Sequence, residues 1–165
     1  MKKKRRNTKL VLWSALTLAL VTLGGASIYI YVNHVKPQED LKAQLEKNPP
    51  IGVTEELGAM IRESHEAYNE LTGFGNIDDL DQDKAITLSK LVYKRVEDAL
   101  EEGIADKQLE ADLKAIHQLV KETSMNPEQE KVRLAHRYFH DLDIAVNQYE
   151  ETNTIFGVTE TLGKP

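Results

Sequence analysis

The sequence contains no cysteine among its 165 residues. No disulfide can therefore stabilise a folded domain, and no lipid can be attached to the chain through a cysteine. External domains without disulfides are ordinary in bacteria with a single membrane and unusual in animals. Any folded part of this chain must therefore be held together by the burial of apolar side chains.

Acidic residues are missing from the first 32 positions, and charge of either sign is missing from Leu10 to Val32. As a helix rising about 1.5 Å per residue, this 23-residue apolar segment reaches about 35 Å and can cross a hydrocarbon core of about 30 Å. Six basic residues precede it: Lys2, Lys3, Lys4, Arg5, Arg6 and Lys9. By the positive-inside rule we predict a single transmembrane helix with a cytoplasmic N-terminus.

A removable signal peptide is the alternative interpretation of the same segment. Small residues at Gly24, Gly25 and Ala26 are compatible with cleavage. The apolar run nevertheless continues to Val32, well beyond a usual signal core of about 7 to 15 residues. We therefore predict an uncleaved signal anchor in the cell membrane, with the lipid bilayer as a partner and the rest of the chain outside the cytoplasm.

The charge of the chain is distributed asymmetrically. All 27 acidic residues follow the apolar segment, whereas only 15 of the 21 basic residues do, so the external part carries a net charge of about −12. Such a surface repels nucleic acids and anionic lipids, and we predict no nucleic-acid binding. It is compatible with a basic protein partner at the outer membrane surface or with loosely held divalent cations.

The order of these features predicts four regions. Residues 1–9 form a basic cytoplasmic tail and residues 10–32 the transmembrane helix. Residues 33–50 are expected to be a stalk, because Asn48-Pro49-Pro50 ends any helix and few large apolar residues precede it. Residues 51–165 form the external domain, which is long enough for one small core.

Apolar periodicity predicts four amphipathic helices in the external domain, beginning near Thr54, Asp83, Ala105 and Pro127. The fourth has the most regular apolar stripe: Val132, Ala135, Phe139, Leu142, Val146 and Tyr149. Short connections between such helices predict an all-α fold, a small antiparallel bundle of about four helices. After Glu151, β-branched and aromatic residues predict an extended C-terminal tail packed on the bundle.

Three potential metal ligands share one face of the fourth helix. His136, His140 and Asp143 are spaced four and three residues apart, as ligands of zinc or another divalent metal on one helix would be. A further ligand would have to come from elsewhere, such as His117 or His65. The alternative is a solvated or boundary helix face beside the apolar stripe, with pairings such as Arg137 to Asp141.

Recognisable catalytic motifs are missing. No serine stands in a glycine elbow, and no glycine-rich loop is suited to hold a phosphate. We therefore predict that the protein is not an enzyme and has no cofactor.

One short sequence is echoed within the chain. Residues 51–58 and 156–163 agree at six of eight positions, including Gly-Val-Thr-Glu. Two similar capping turns would explain this match, and a truncated repeat or a paired docking edge is the alternative.

The segments His140–Asn147 and Phe156–Glu160, together with the entry at Asn48–Glu56, resemble small single-pass membrane proteins of Gram-positive bacteria whose external domain has no assigned function. The resemblance implies a membrane-tethered external domain and brings no site residue with it. We thus expect a membrane-anchored, extracytoplasmic helical protein-interaction module. A divalent-metal-binding domain that uses His136, His140 and Asp143 is the alternative.

Overall fold

A computed structural model describes residues 26, 27, 29, 30, 32, 35–149 and 154–163. Most of the expected transmembrane segment, Leu10–Val32, lies outside the described residues, as does the basic tail. No helix in the described part of the chain has the length and apolar character needed to cross a membrane. The chain divides into two compact units, Met1–Asp40 and Leu41–Pro165.

All regular structure in the described residues is helical, as the apolar periodicity predicts. The α-helices are α1 (Lys36–Lys47), α2 (Glu55–Thr72), α3 (Gln82–Glu102), α4 (Lys107–Met125) and α5 (Gln129–Asn147). A 3₁₀ helix, Gly73–Asp79, follows α2. The last four α-helices begin within a few residues of the predicted positions.

Side-chain caps fix the beginnings of three helices. The Thr54 hydroxyl accepts a hydrogen bond from the Leu57 amide at the start of α2. Asp81 and Asp106 cap α3 and α4 in the same way. Each cap satisfies a backbone donor that has no partner inside its helix, so these residues set where the helices start.

The core lies between α2, α3, α4 and α5, where α2 packs mainly on α5 and α3 on α4. Tyr68 of α2 and Phe139 of α5 stack with ring centroids 5.7 Å apart. Both side chains are fully buried, as are Ile61, Leu113 and Ile116. The four-helix bundle is therefore the part of the fold that the apolar stripes determine.

The segment 33–50, which we predicted to be a stalk, contains the 12-residue helix α1. Its residues Leu41 and Leu45 are partly buried in a second apolar cluster, whose buried members are Ile144, Ala145, Ile155 and Leu162. Two leucines four residues apart are enough because α5 and the C-terminal segment supply the rest of the apolar surface. Packing of this kind, more than intrinsic propensity, stabilises most helices in proteins.

Candidate functional site

Two of the three predicted metal ligands lie in the interior, and the third lies at its boundary. His140 and Asp143 on α5 are almost fully buried, and His136 is partly buried. The face of α5 that carries these residues is covered, because α2 and the C-terminal segment, residues 154–163, pack against it. The alternative of a solvated helix face is therefore wrong for His140 and Asp143.

His65 of α2 completes a cluster of three histidines. Its ring centroid lies 5.6 Å from that of His136 and 5.1 Å from that of His140. Its Nδ1 is 2.8 Å from Oδ2 of Asp143. The structure thus brings together four of the residues that the sequence suggested, and it places His117 elsewhere, stacked on Tyr93.

Asp143 uses both of its oxygens within the protein. Oδ2 accepts from His65, and Oδ1 accepts a 2.7 Å hydrogen bond from Nδ2 of Asn147. The same amide nitrogen donates to the backbone oxygen of Gly58 on α2. Asp143 therefore connects α5 to α2, and both of its carboxylate oxygens accept hydrogen bonds from protein groups in place of water.

His136 has one nitrogen that is bonded and one that is not. The Thr72 hydroxyl donates its proton to the Tyr68 backbone oxygen, so His136 Nδ1, 3.1 Å away, must donate to the hydroxyl oxygen. Its Nε2 is then an acceptor, and it is buried with no hydrogen-bond partner among the described residues. Burial, followed by Coulomb repulsion from His65, His140 and Arg137, lowers the pKa of His136 to about 4.

Aromatic rings cover the cluster. Tyr149 lies edge-on to His65 with ring centroids 4.8 Å apart, and Phe156 lies at the same distance from His140. The guanidinium of Arg137 lies over the Phe156 ring at 5.3 Å, a cation–π contact. Arg137 therefore contacts an aromatic ring of the C-terminal segment, where we had expected a pairing with Asp141.

Asp141 is fully buried and binds the C-terminal segment. Oδ1 accepts the backbone N–H of Phe156 at 2.9 Å, and Oδ2 accepts that of Val158 at 3.1 Å. The His140 Nδ1 lies 3.4 Å from Oδ1. The carboxylate thus binds a tail that has no helix or strand of its own in the described residues.

A second buried carboxylate, Asp112 of α4, binds the end of the same segment. It accepts the backbone N–H groups of Glu160 and Thr161, each at 2.8 Å, and the Thr161 hydroxyl at 2.6 Å. Asp112 was not among the functional residues that we predicted. Its position contained a signal, because an acidic residue in register with the apolar stripe of α4, three positions after Leu109 and four before Ile116, is expected to be buried.

The internal sequence echo has a local explanation. In its second copy the Thr159 hydroxyl accepts from the Leu162 amide, as the Thr54 hydroxyl accepts from Leu57 in the first. The preceding glycines, Gly52 and Gly157, have φ values of 70° and 67°. Both copies are thus capping turns of the same geometry, which agrees with the first of our two interpretations.

Metal binding receives no support from this geometry. The described residues include no group of three or more His, Asp or Glu side chains that could hold a metal ion. Asp143 is engaged by His65 and Asn147, and the His140 ring is nearly perpendicular to those of His65 and His136. The metal site of His136, His140 and Asp143 stays a prediction.

The other feature of interest is an open groove between α2 and α3, which we call the α2–α3 groove. It holds two cavities of about 320 and 680 Å³. The first is lined mainly by residues 56–63 of α2 and 95–102 of α3. The second is lined by residues 67–71 of α2, residues 84–88 of α3 and residues 75–81 of the connection between them. This pairing shows that α2 and α3 run antiparallel with incomplete packing between them.

No family model, curated protein or solved structure matches this chain. Only the residues and the structure of the chain itself therefore bear on its function.

The two features differ in what they can do chemically. The histidine cluster is largely buried and is covered by aromatic rings, one of which, Phe156, belongs to the C-terminal segment, so the cluster joins parts of the fold. The α2–α3 groove is open, and its lining combines apolar and charged side chains. Of the two, the groove is the one that another molecule can enter without unfolding the domain.

Proposed function

We propose that this protein is a membrane-anchored, extracytoplasmic helical module that binds another protein. The apolar segment Leu10–Val32 supports the anchor, and the six basic residues that precede it support a cytoplasmic N-terminus and an external domain. The observation that carries the binding function is the open α2–α3 groove. The protein acts without catalysis and positions its partner near the outer membrane surface.

The absence of cysteine allows a direct test of the topology. In intact bacterial cells, a membrane-impermeant maleimide should label the thiol of a Glu101→Cys variant, because Glu101 is exposed near the end of α3. It should label Asn7→Cys only after permeabilisation, and the cysteine-free parent serves as the blank. The reverse pattern would place the domain in the cytoplasm, and a mature chain without position 7 would establish the cleaved signal peptide.

The binding function is tested by site-specific photocrosslinking. A photoreactive residue at Ala59, in the lining of the groove, should give an adduct with a discrete protein in intact cells. The same residue at Ala115, which is exposed on α4 outside the groove, is the matched control. Equal adducts from both positions would mean that the groove has no special part in binding.

The divalent-metal function through His136, His140 and Asp143 is the second candidate. It is tested by calorimetric titration of the full chain with Zn²⁺ at neutral pH. Saturable heat that disappears in both His136→Ala and His140→Ala would establish it. From the engaged oxygens of Asp143 we expect only the heat of dilution.

A further inference from the structure

We propose that the α2–α3 groove binds a basic amphipathic helix of a partner protein. This inference rests on the proposed function and names the chemistry of its partner.

The floor of the groove is a side of the core that is incompletely covered. Leu57, Met60 and Leu71 keep 8 to 9% of their surface exposed, whereas other core residues of α2, such as Ile61 and Tyr68, are fully buried. All three of the partly exposed residues line the two cavities. An apolar side chain placed there would remove this remaining core surface from water.

Small residues keep the groove open. The lining includes three alanines, Ala59 and Ala67 on α2 and Ala99 on α3. Larger side chains at these positions would fill the space between the helices. The floor is therefore apolar and also accessible, the combination that helix-in-groove recognition uses.

The walls of the groove are acidic. The lining includes seven acidic side chains, Glu56, Glu63, Glu70, Asp79, Asp81, Asp98 and Glu102, and two basic ones, Lys84 and Arg95. Both basic side chains form ion pairs within the groove, Lys84 with Asp81 at 3.4 Å and Arg95 with Glu63 at 2.8 Å. The net charge of the lining is thus −5. Asp98 also forms an ion pair, at 2.6 Å, with Lys94, which lies outside the lining. The four acidic side chains that remain, Glu56, Glu70, Asp79 and Glu102, favour a cationic ligand.

The dimensions favour a helix as the ligand. The lining extends from Glu56 to Leu71 along α2, which is about 22 Å at 1.5 Å per residue. A helix of about 14 residues matches this length. Apolar residues three and four positions apart would face the floor, and lysine or arginine beside them would face the acidic walls.

The test uses the full chain in phosphatidylcholine nanodiscs and a labelled synthetic peptide of lysine and leucine, about 14 residues long, with leucines at helical spacing. Fluorescence anisotropy should show saturable binding of this peptide and none of a glutamate–leucine peptide with the same pattern. Because the measurement does not depend on membrane orientation, its result is separate from that of the cysteine-labelling test.

Matched charge reversals locate the binding surface. Glu70→Lys/Glu102→Lys changes one groove residue on each of α2 and α3, whereas Glu66→Lys/Glu101→Lys changes one residue outside the groove on each of the same helices. All four positions are exposed, so the fold should persist, and circular dichroism checks this. We expect the groove pair to weaken binding about tenfold and the control pair to change it less than about twofold.

Three outcomes would overturn the proposal. Equal weakening by the two pairs would assign binding to the acidic surface as a whole, and the lack of saturable binding would exclude a cationic helix. The third is self-association of the full chain, measured by analytical ultracentrifugation, that only Glu70→Lys/Glu102→Lys abolishes. The occupant of the groove would then be a second copy of the chain.

Discussion

Asp112 and Thr161 are 49 residues apart in the sequence and are joined by two hydrogen bonds to one carboxylate oxygen. The Thr161 amide lies 2.8 Å from Oδ2 of Asp112, and the Thr161 hydroxyl lies 2.6 Å from it. The other oxygen accepts the Glu160 amide. One buried side chain of α4 therefore determines where the end of the C-terminal segment lies.

Replacing Asp112 with alanine should detach this end of the segment. The variant removes the acceptor of two partly buried backbone donors and of the Thr161 hydroxyl, and we expect a loss of about 2 kcal/mol in the free energy of unfolding. Urea denaturation measures the loss. Glu110→Ala on the same helix removes only an exposed pair with Lys114 and should cost less than about 0.5 kcal/mol. Equal losses would mean that the two Asp112–amide bonds contribute little.

Asp141→Asn should act on the other end of the segment. The carboxylate accepts the backbone N–H groups of Phe156 and Val158 with its two oxygens. An asparagine amide has only one acceptor oxygen, so its NH₂ group faces the other backbone N–H, and that hydrogen bond is lost. We expect faster hydrogen exchange at one or both of these amides, measured by nuclear magnetic resonance. Asp143→Asn is the matched control, because Asp143 bonds to His65 and Asn147. If both variants changed the two amides alike, Asp141 would have no special role there.

Stability should fall on acidification because of His136. Its pKa is about 4 in the folded protein and about 6.5 when unfolded, so the unfolded state binds more protons between these values. The contribution is complete above pH 6.5 and is lost as the pH falls toward 4. We expect it to be about 1 to 2 kcal/mol, after a reduction because the side chain is only partly buried.

The variant His136→Gln isolates this contribution. A glutamine side chain cannot be protonated in this range, so the free energy of unfolding of the variant should decrease less than that of the parent between about pH 6.5 and 4.5. The difference between the two curves, measured by urea denaturation at each pH, removes the contributions of the other titrating groups. Parallel curves would show that His136 is protonated equally easily in the folded and unfolded states.

Leu45→Ala tests whether α1 is packed or is a spacer. The side chain is partly buried against the second apolar cluster, and we expect a loss of about 1 to 2 kcal/mol in the free energy of unfolding. Gln44→Ala changes an exposed neighbour on the same helix and should have almost no effect. A Leu45→Ala variant as stable as the parent would support the stalk that the sequence analysis expected.

The helical bundle could be predicted from the order of residues alone. Leu109, Leu113 and Ile116 recur at helical spacing, and caps such as Thr54 mark where helices begin, so each signal is contained within a few neighbouring residues. The histidines on α5 were also identified from their spacing, and His65 was named as a possible companion. Periodicity gives the faces of a helix but does not say how many of them are covered.

Only the tertiary structure decides which segments cover the faces of these helices. Asp141 and Asp112 are read from the sequence as ordinary helix charges, and their backbone partners come 15 to 49 residues later. The same holds for α1, whose two leucines need the surface of α5 and the C-terminal segment, and for the α2–α3 groove, which arises from incomplete packing between two regular helices. Contacts between residues distant in the chain depend on how the elements are arranged in space, and no local pattern records that arrangement.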